Sequence, residues 1–574
     1  MKSFKIVFTL LVLLTLFSFN KSSNSEKLQA IIAKYEAERN YEFEREASVE
    51  NTIKYHQAEA EFSKKLIEEL AQVSDEGLSE SEKISKELLL FVLQEKIDTN
   101  TFKTYLNTIT NESAFHLNMG RMGNANFKNK KQVLAYFERL EKLPQRVDYN
   151  IALLRAAYKE GMAQPRIVFK NYDDTYNRHI VSDVTISEFY KPFLKLPESF
   201  SSKLRDSILN AAKESVQKNA IDQYKKIKTF FEEEYFPNTR KGLGISTIPK
   251  GDEFYQNRIN YFTTSTKYSA DDIHQIGLNE VARIRAEMNT IIADLNFEGT
   301  FEDFLKYLRT DEQFYPKTAD ELLMFARDIS KRIDAELPKF FITLPRKPYG
   351  VVPVPEAIAP NYTAGRYSGS YSETTAGYYW VNTYNLPSRT LYTIPALTAH
   401  EAVPGHHLQI SLNNELPETI PSFRRRLYLS AYGEGWGLYS EYLADEMNIY
   451  TTPYEKFGQL TYEMWRACRL VVDTGVHAKG WTREQMVNFM SENTALSIHE
   501  VNSETDRYIS WPGQALSYKI GEIKIRELRK KVENALGEKF DIREFHEVIL
   551  EEGTVTLSIL ERRMDAYIEK KLHE

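Results

Sequence analysis

Ala396-Leu-Thr-Ala-His-Glu-Ala-Val-Pro-Gly-His-His-Leu-Gln-Ile410 is the stretch on which the reading of this chain turns. His400-Glu401 lies among apolar residues at helical spacing, which predicts a buried helix carrying both side chains. In a helix-borne His-Glu-x-x-His the two imidazoles share one face a turn apart and hold zinc. The Glu beside the first His then reaches the activated water as general base. This chain departs from that spacing, because the fourth position after His400 is Pro404. In a straight helix His406 would face away, and His407 would lie two turns on, roughly 10 Å distant. Pro404-Gly405 is a pair suited to breaking such a helix: Pro removes a backbone donor and Gly tolerates unusual dihedrals. His406, preceded by Gly, is the preferred second ligand and His407 the alternative. The cluster falls within eight positions of a chain with only 11 His, and a mere helix-end cluster would not require Glu401 between apolar neighbours.

A third ligand is needed, and Ala431-Tyr-Gly-Glu-Gly-Trp-Gly-Leu-Tyr-Ser-Glu441 is the best source. Glu434 stands between two glycines in a helical run, and small neighbours let one helix approach another closely. Glu441, two turns further along the same face, is a reserve ligand or a partner for a ligand His. Two His and one Glu favour zinc, one ion per chain.

Outside this region the texture is largely helical. From Ser25 to about Phe236 apolar residues recur at helical spacing, as in Leu66, Ile67, Leu70 and Val73, which predicts a stack of long helices. Gly242, Gly244, Pro249 and Gly251 mark a boundary, so 25–240 is expected as an N-terminal helical lobe and 241–574 as a catalytic lobe. Ser269 is a good N-cap for a helix running to about Asp294, and another helix is expected over Thr318–Glu336. Pro345–Pro360 reads as extended, and the aromatic, β-branched run Gly377–Tyr384 as a strand. Helical patterning resumes near Ile394 and continues to the end, apart from a loop at Asp506–Gly513. The expected fold is mainly α, two-lobed, with a small sheet just before the metal motif.

The 42% hydrophobic content is enough for a large core, and the charge of −7 argues against nucleic acid as a partner. Lys2, Lys5 and the apolar run Ile6–Phe19 read as a signal peptide over 1–22, too short for a comfortable membrane span, so the mature form is expected to carry none. Export to the periplasm or medium follows. Cys468 is the sole cysteine, so the reading excludes a disulfide and an acylated N-terminal cysteine, hence a lipoprotein. No phosphate-binding Gly loop, nucleotide fold or Ser-His-Asp arrangement is visible.

Several blocks together resemble the bacterial family catalogued as domain of unknown function 885. They are Thr398–Gln409, Gly433-Glu-Gly-Trp436, Asp473-Thr-Gly-Val-His477 and Trp511-Pro-Gly-Gln-Ala-Leu-Ser-Tyr-Lys-Ile-Gly521, with Ile273–Ala282 and Val381–Ser388 upstream. The resemblance covers nearly the whole mature chain. It implies a helical metallopeptidase-like fold, distantly similar to carboxypeptidase Taq and angiotensin-converting-enzyme type peptidases. In such enzymes a strand beside the metal helix pairs with the substrate backbone, a role that would fall to Gly377–Tyr384 through Tyr379, Val381 and Asn382. A later His or Tyr then donates to the oxyanion, and His477, Tyr508 and Tyr518 are the candidates, Tyr518 favoured. Arg366, Arg389 or Arg507 could grip a terminal carboxylate, and Gln514 joins Arg507 among the substrate contacts.

The implied activity is zinc-dependent peptide-bond hydrolysis by an exopeptidase or oligopeptidase, with Glu401 as base. The alternatives are an inactive peptide-binding protein and a zinc hydrolase of another amide or ester.

Overall fold

Helical periodicity in the first hundred residues becomes three helices, α1 (Asn24–Glu38), α2 (Val49–Ala71) and α3 (Glu80–Thr101). Each of the latter two starts on a serine: Ser48 accepts from the Asn51 N–H, and Ser79 forms a capping box with Glu82. The computed structural model describes residues 23–38 and 48–574, except 357, 360, 361, 371, 373 and the side chain of 118. The signal segment expected at 1–22 lies outside the described residues. From Phe102 to Ser201 the expected stack of long helices is interrupted by short 3-10 turns at Arg166–Phe169, Val184–Ile186 and Lys191–Lys195. Pro165 and Pro192 stand at the starts of two of them, positions that tolerate proline because the first-turn N–H has no helical partner.

Beyond the Gly-rich segment, α4 (Ala270–Asp294) opens on Ser269 with a capping box to Asp272, as the sequence indicates, and α5 spans Ala319–Phe340. Three strands follow: β1 (Tyr349–Pro353), β2 (Gly365–Ser368) and β3 (Gly377–Val381). Their order is β1-β3-β2, with β1 parallel and β2 antiparallel to β3. The fold is mainly α with one small sheet ahead of the metal motif.

That order corrects one expectation. β3 lies in the middle of the sheet with both backbone edges paired, so it has no edge to offer a substrate chain. Tyr379 and Val381 are buried, and Asn382 spends its amide on the carbonyls of Ala359, Tyr362 and Thr363. The edge strands are β1 and β2, and β2, in Gly- and Ser-rich sequence, is the one whose backbone reaches Glu401 of the metal motif.

The helices that build the site and its surroundings include α6 (Ile394–Glu401), α7 (His406–Asn414), α8 (Ser430–Glu446), α9 (Pro453–Ala478), α10 (Ile498–Ser510), α11 (Ser517–Leu536) and α12 (Leu557–His573). The loop expected at Asp506–Gly513 is shorter, since α10 runs to Ser510 before Pro512-Gly513 ends it. One apolar cluster draws on residues from Ile109 to Ala515 and a second on residues from Leu28 to Ile568, so sequence on both sides of position 240 shares each core. No helix among the described residues is long and apolar enough to cross a membrane.

α8 and α11 cross at glycines. A Cβ on Gly435 would stand 2.6 Å from Gly521 Cα, and one on Gly521 would stand 2.0 Å from the Ala431 carbonyl oxygen. Only bare backbone allows this approach, and it brings the start of α11, with Tyr518, toward the metal motif.

Candidate metal centre

The helix break is built as the sequence requires. α6 stops at Glu401, the turn 402–405 includes a cis Val403-Pro404 bond, and α7 begins at His406. A Cβ on Gly405 would fall 1.9 Å from the His400 carbonyl oxygen, so the turn closes only with glycine. Trp436 Nε1 donates to the Pro404 carbonyl at 2.8 Å and ties the break to α8. The second imidazole is thereby turned back toward the first.

His400, His406 and Glu434 converge, each offering one donor atom, all within 4.8 Å of one another. Glu434 Oε2 lies 3.4 Å from His400 Nε2 and 3.3 Å from His406 Nε2. Gly437 gives His400 its place, because a Cβ there would meet the imidazole at 2.7 Å. Thus Gly433-Glu-Gly-Trp-Gly437 is one device: Gly435 admits α11, and Gly437 admits the first His.

The buried carboxylate of Glu441 accepts from His400 Nδ1 at 2.8 Å. A proton fixed on Nδ1 leaves the Nε2 lone pair facing the cluster, the orientation a ligand imidazole needs. Burial pushes the His400 pKa down, but the Glu434 and Glu441 carboxylates outweigh it and hold the ring up at about 10. Burial also resists ionisation of Glu434, yet His406 and His400 keep its carboxyl well below the usual range. A pocket that holds its imidazole protonated demands positive charge, and a divalent cation meets the demand with neutral imidazoles. The donor set, two imidazole nitrogens and one carboxylate, fits zinc.

Glu401 is 9% exposed and lies on the last turn of α6. Its Oε2 accepts from the Tyr367 backbone N–H at 2.7 Å, so the edge strand β2 aims this carboxylate. His407 turns away from the cluster: Nε2 donates to the Lys347 carbonyl at 3.0 Å, and Nδ1 accepts from the Tyr367 hydroxyl at 3.1 Å. Burial lowers its pKa to about 4, and it serves to pin the sheet to α7.

The three candidate oxyanion donors separate clearly. Tyr518 stacks with its ring 6.5 Å from that of His400, and its hydroxyl has no hydrogen-bond partner among the described residues. His477 is a correction. Its Nδ1 accepts from the Ile245 N–H at 3.0 Å and its Nε2 donates to the Tyr508 carbonyl at 2.9 Å, so neither nitrogen is left for a substrate. Tyr508 is a second correction: its hydroxyl donates to Glu504 at 2.7 Å and accepts from Trp465 Nε1 and Arg469 Nε. One donor and two acceptor positions are its whole capacity. Arg507 and Gln514 pair with each other at 2.9 Å, with Glu504 also beside Arg507.

Three residues near the centre escaped the sequence reading. Tyr428, 45% exposed, donates to Glu434 Oε1 at 3.0 Å. Arg466 reaches Glu441 at 3.4 Å, and Arg469 lies 4.3 Å over the Tyr518 ring. Their signal was there: Gly433 leaves room for the Tyr428 ring, and two arginines three apart interrupt an otherwise apolar run of α9.

The family model described as "Bacterial protein of unknown function (DUF885)" matches residues 45–564. The chain belongs to the DUF885 family. Two solved structures are similar to this DUF885 chain. A "putative lipoprotein" from Colwellia psychrerythraea is 28% identical, with a TM-score of 0.82 over 91% of this chain and 92% of that one. A "putative lipoprotein of unknown function" from Shewanella oneidensis is 17% identical, with a TM-score of 0.66 over 95% of this chain and 100% of that one. No curated protein matches the chain. These descriptions correct the exclusion of a lipoprotein made from Cys468. That residue is buried within α9, and its position says nothing about how such relatives are held.

Proposed function

We propose that this DUF885 member is a zinc-dependent hydrolase of peptide bonds, with His400, His406 and Glu434 holding the ion and Glu401 as general base. The observation that carries the reading is the convergence of those three donors beside a carboxylate aimed by a strand edge. When bound, such a cation lowers the pKa of water to about 7 and polarises a carbonyl. The chain's own groups do the rest. With Oε2 held by the Tyr367 N–H, Glu401 keeps Oε1 to take a proton from water and hand it to the leaving amine. Tyr518, its ring 6.5 Å from that of His400, has a free hydroxyl to donate to the oxyanion. Arg469, over the Tyr518 ring, holds the ring in place.

Peptide is the substrate class that β2 favours. Tyr367 turns its backbone away from β3 and toward the metal helix; Glu401 takes its N–H, and an extended chain lying along that edge would donate to its carbonyl. Glu401→Gln keeps the size and hydrogen bonding of the side chain and removes its basicity. Zinc content should be unchanged, while turnover of a mixed peptide pool, followed by mass spectrometry, falls by at least about 100-fold. Turnover within a few-fold of wild type would remove Glu401 from the mechanism.

A further inference from the structure

Along α6, one turn before His400, the helix borders a partly open cavity of about 210 Å³. That is smaller than a drug-sized pocket and suits one amino-acid residue. Its walls are mostly aromatic and aliphatic, with Tyr315, Tyr392, Tyr462, Ile394 and Leu397 among them. Three charged side chains line it: Arg309, Arg389 and Glu500.

The three are not equivalent. Arg309 is spent on structure, donating to the carbonyls of Ser491, Thr494 and Leu496 and holding that loop. Glu500 closes the capping box of α10, accepting from the Ser497 N–H and hydroxyl at 3.2 and 3.0 Å. Arg389 donates only its Nε, to the Tyr384 carbonyl at 3.2 Å, and both terminal nitrogens lack a partner among the described residues. The cavity walls carry two cations against one anion, and Glu500, the opposite charge that acts on Arg389, stands too far off for an ion pair. Burial depresses the Arg389 pKa, as expected of a guanidinium without a full counter-charge. A monoanion completes the balance; a zwitterion leaves it unchanged.

We infer that this cavity is the subsite for the C-terminal residue of a peptide substrate, with the terminal carboxylate gripped by the two free nitrogens of Arg389. The fork of a guanidinium matches a carboxylate in the plane, and the aromatic walls take an apolar side chain. This deepens the hydrolytic reading above and assigns the enzyme an exo-acting, carboxy-terminal mode. The layout supplies the reach. Ala364, which lines the cavity, precedes β2 by one residue, and Tyr367 of β2 aims Glu401. Three extended residues span about 10 Å, so one or two substrate residues fit between the scissile bond and the carboxylate. The other candidate arginines are placed differently: Arg366 is exposed beside Tyr362, and Arg507 is engaged by Glu504 and Gln514.

The test has a binding arm and a turnover arm. In the first, calorimetry measures N-acetyl-leucine and N-acetyl-leucinamide against the full-length Glu401→Gln protein, alone and with Arg389→Gln or Arg389→Lys added. The acid should bind roughly 10- to 100-fold more tightly than the amide. Arg389→Gln should erase that preference, and Arg389→Lys, which keeps a cation but not the fork, should restore part of it. In the second arm, matched peptides ending in carboxylate or amide are compared by kcat/KM in wild type and Arg389→Gln, with the same preference and the same loss expected. A carboxylate preference that survives Arg389→Gln, or no preference in wild type, overturns the assignment. Preference in binding with no hydrolysis of either peptide keeps the subsite and discards the hydrolytic reading.

Discussion

At the residue scale, the proposed centre is held by groups outside the His400, His406 and Glu434 cluster. Glu441 fixes the proton of His400 on Nδ1, and Arg466 stands beside the same carboxylate. Glu441→Gln keeps the shape but loses the charge, and should weaken zinc binding about 10- to 100-fold. Competition with a coloured chelator measures this, and an unchanged dissociation constant would show that Glu441 has no such role. The cluster was legible in the sequence because His400, Glu401 and Glu434 sit where solvated residues have no reason to be, among alanines and glycines. His406 could be preferred over His407 only through the logic of Pro404-Gly405, which forces a break without stating its angle. His477 and Tyr508 misled because their polar atoms are consumed by distant partners. Ile245, which occupies His477 Nδ1, is 232 residues away, and no local pattern reports such a contact.

At the element scale, two glycine contacts set the site. α8 and α11 meet at Gly435 and Gly521, and the clash a methyl would make is with backbone, which cannot swing aside. Gly521→Ala should therefore cost on the order of 1–3 kcal/mol. It should lower the melting temperature and also shift Tyr518, so kcat is expected to fall more than zinc occupancy does. A variant as stable as wild type would mean that the helices cross less tightly. Helix positions were readable from caps such as Ser269-Ala-Asp-Asp272, where the capping box is entirely local. Strand order was not. β3 has the stronger β composition and lies at the centre of the sheet, while the weaker Gly365-Arg-Tyr-Ser368 lies at an edge, beside the metal helix.

At the scale of the whole molecule, helices distant in sequence are joined by buried charge. Lys519 of α11 is fully buried and lies 2.7 Å from Glu463 of α9, 2.9 Å from Glu280 of α4 and 2.7 Å from Glu522. Arg283 and Arg526 complete the network around Glu463. Removing one member leaves buried carboxylates without their full counter-charge. Lys519→Met is expected to cost about 3–5 kcal/mol in urea unfolding, with zinc still bound at the native state. A loss below about 1 kcal/mol would place the network among surface-like pairs. Such a network is invisible in sequence, where each member reads as an ordinary helix charge. The shared cores are equally hidden: the composition change near residue 240 is plain, yet both clusters run across it.

The decisive measurement is the metal content of purified protein by elemental mass spectrometry, for wild type and for His400→Ala, His406→Ala, His407→Ala and Glu434→Ala. Close to one zinc per chain is expected in wild type and in His407→Ala, with loss in the other three. Zinc kept by His406→Ala and lost from His407→Ala, or a wild-type protein that takes up no metal on reconstitution, would contradict the centre described above.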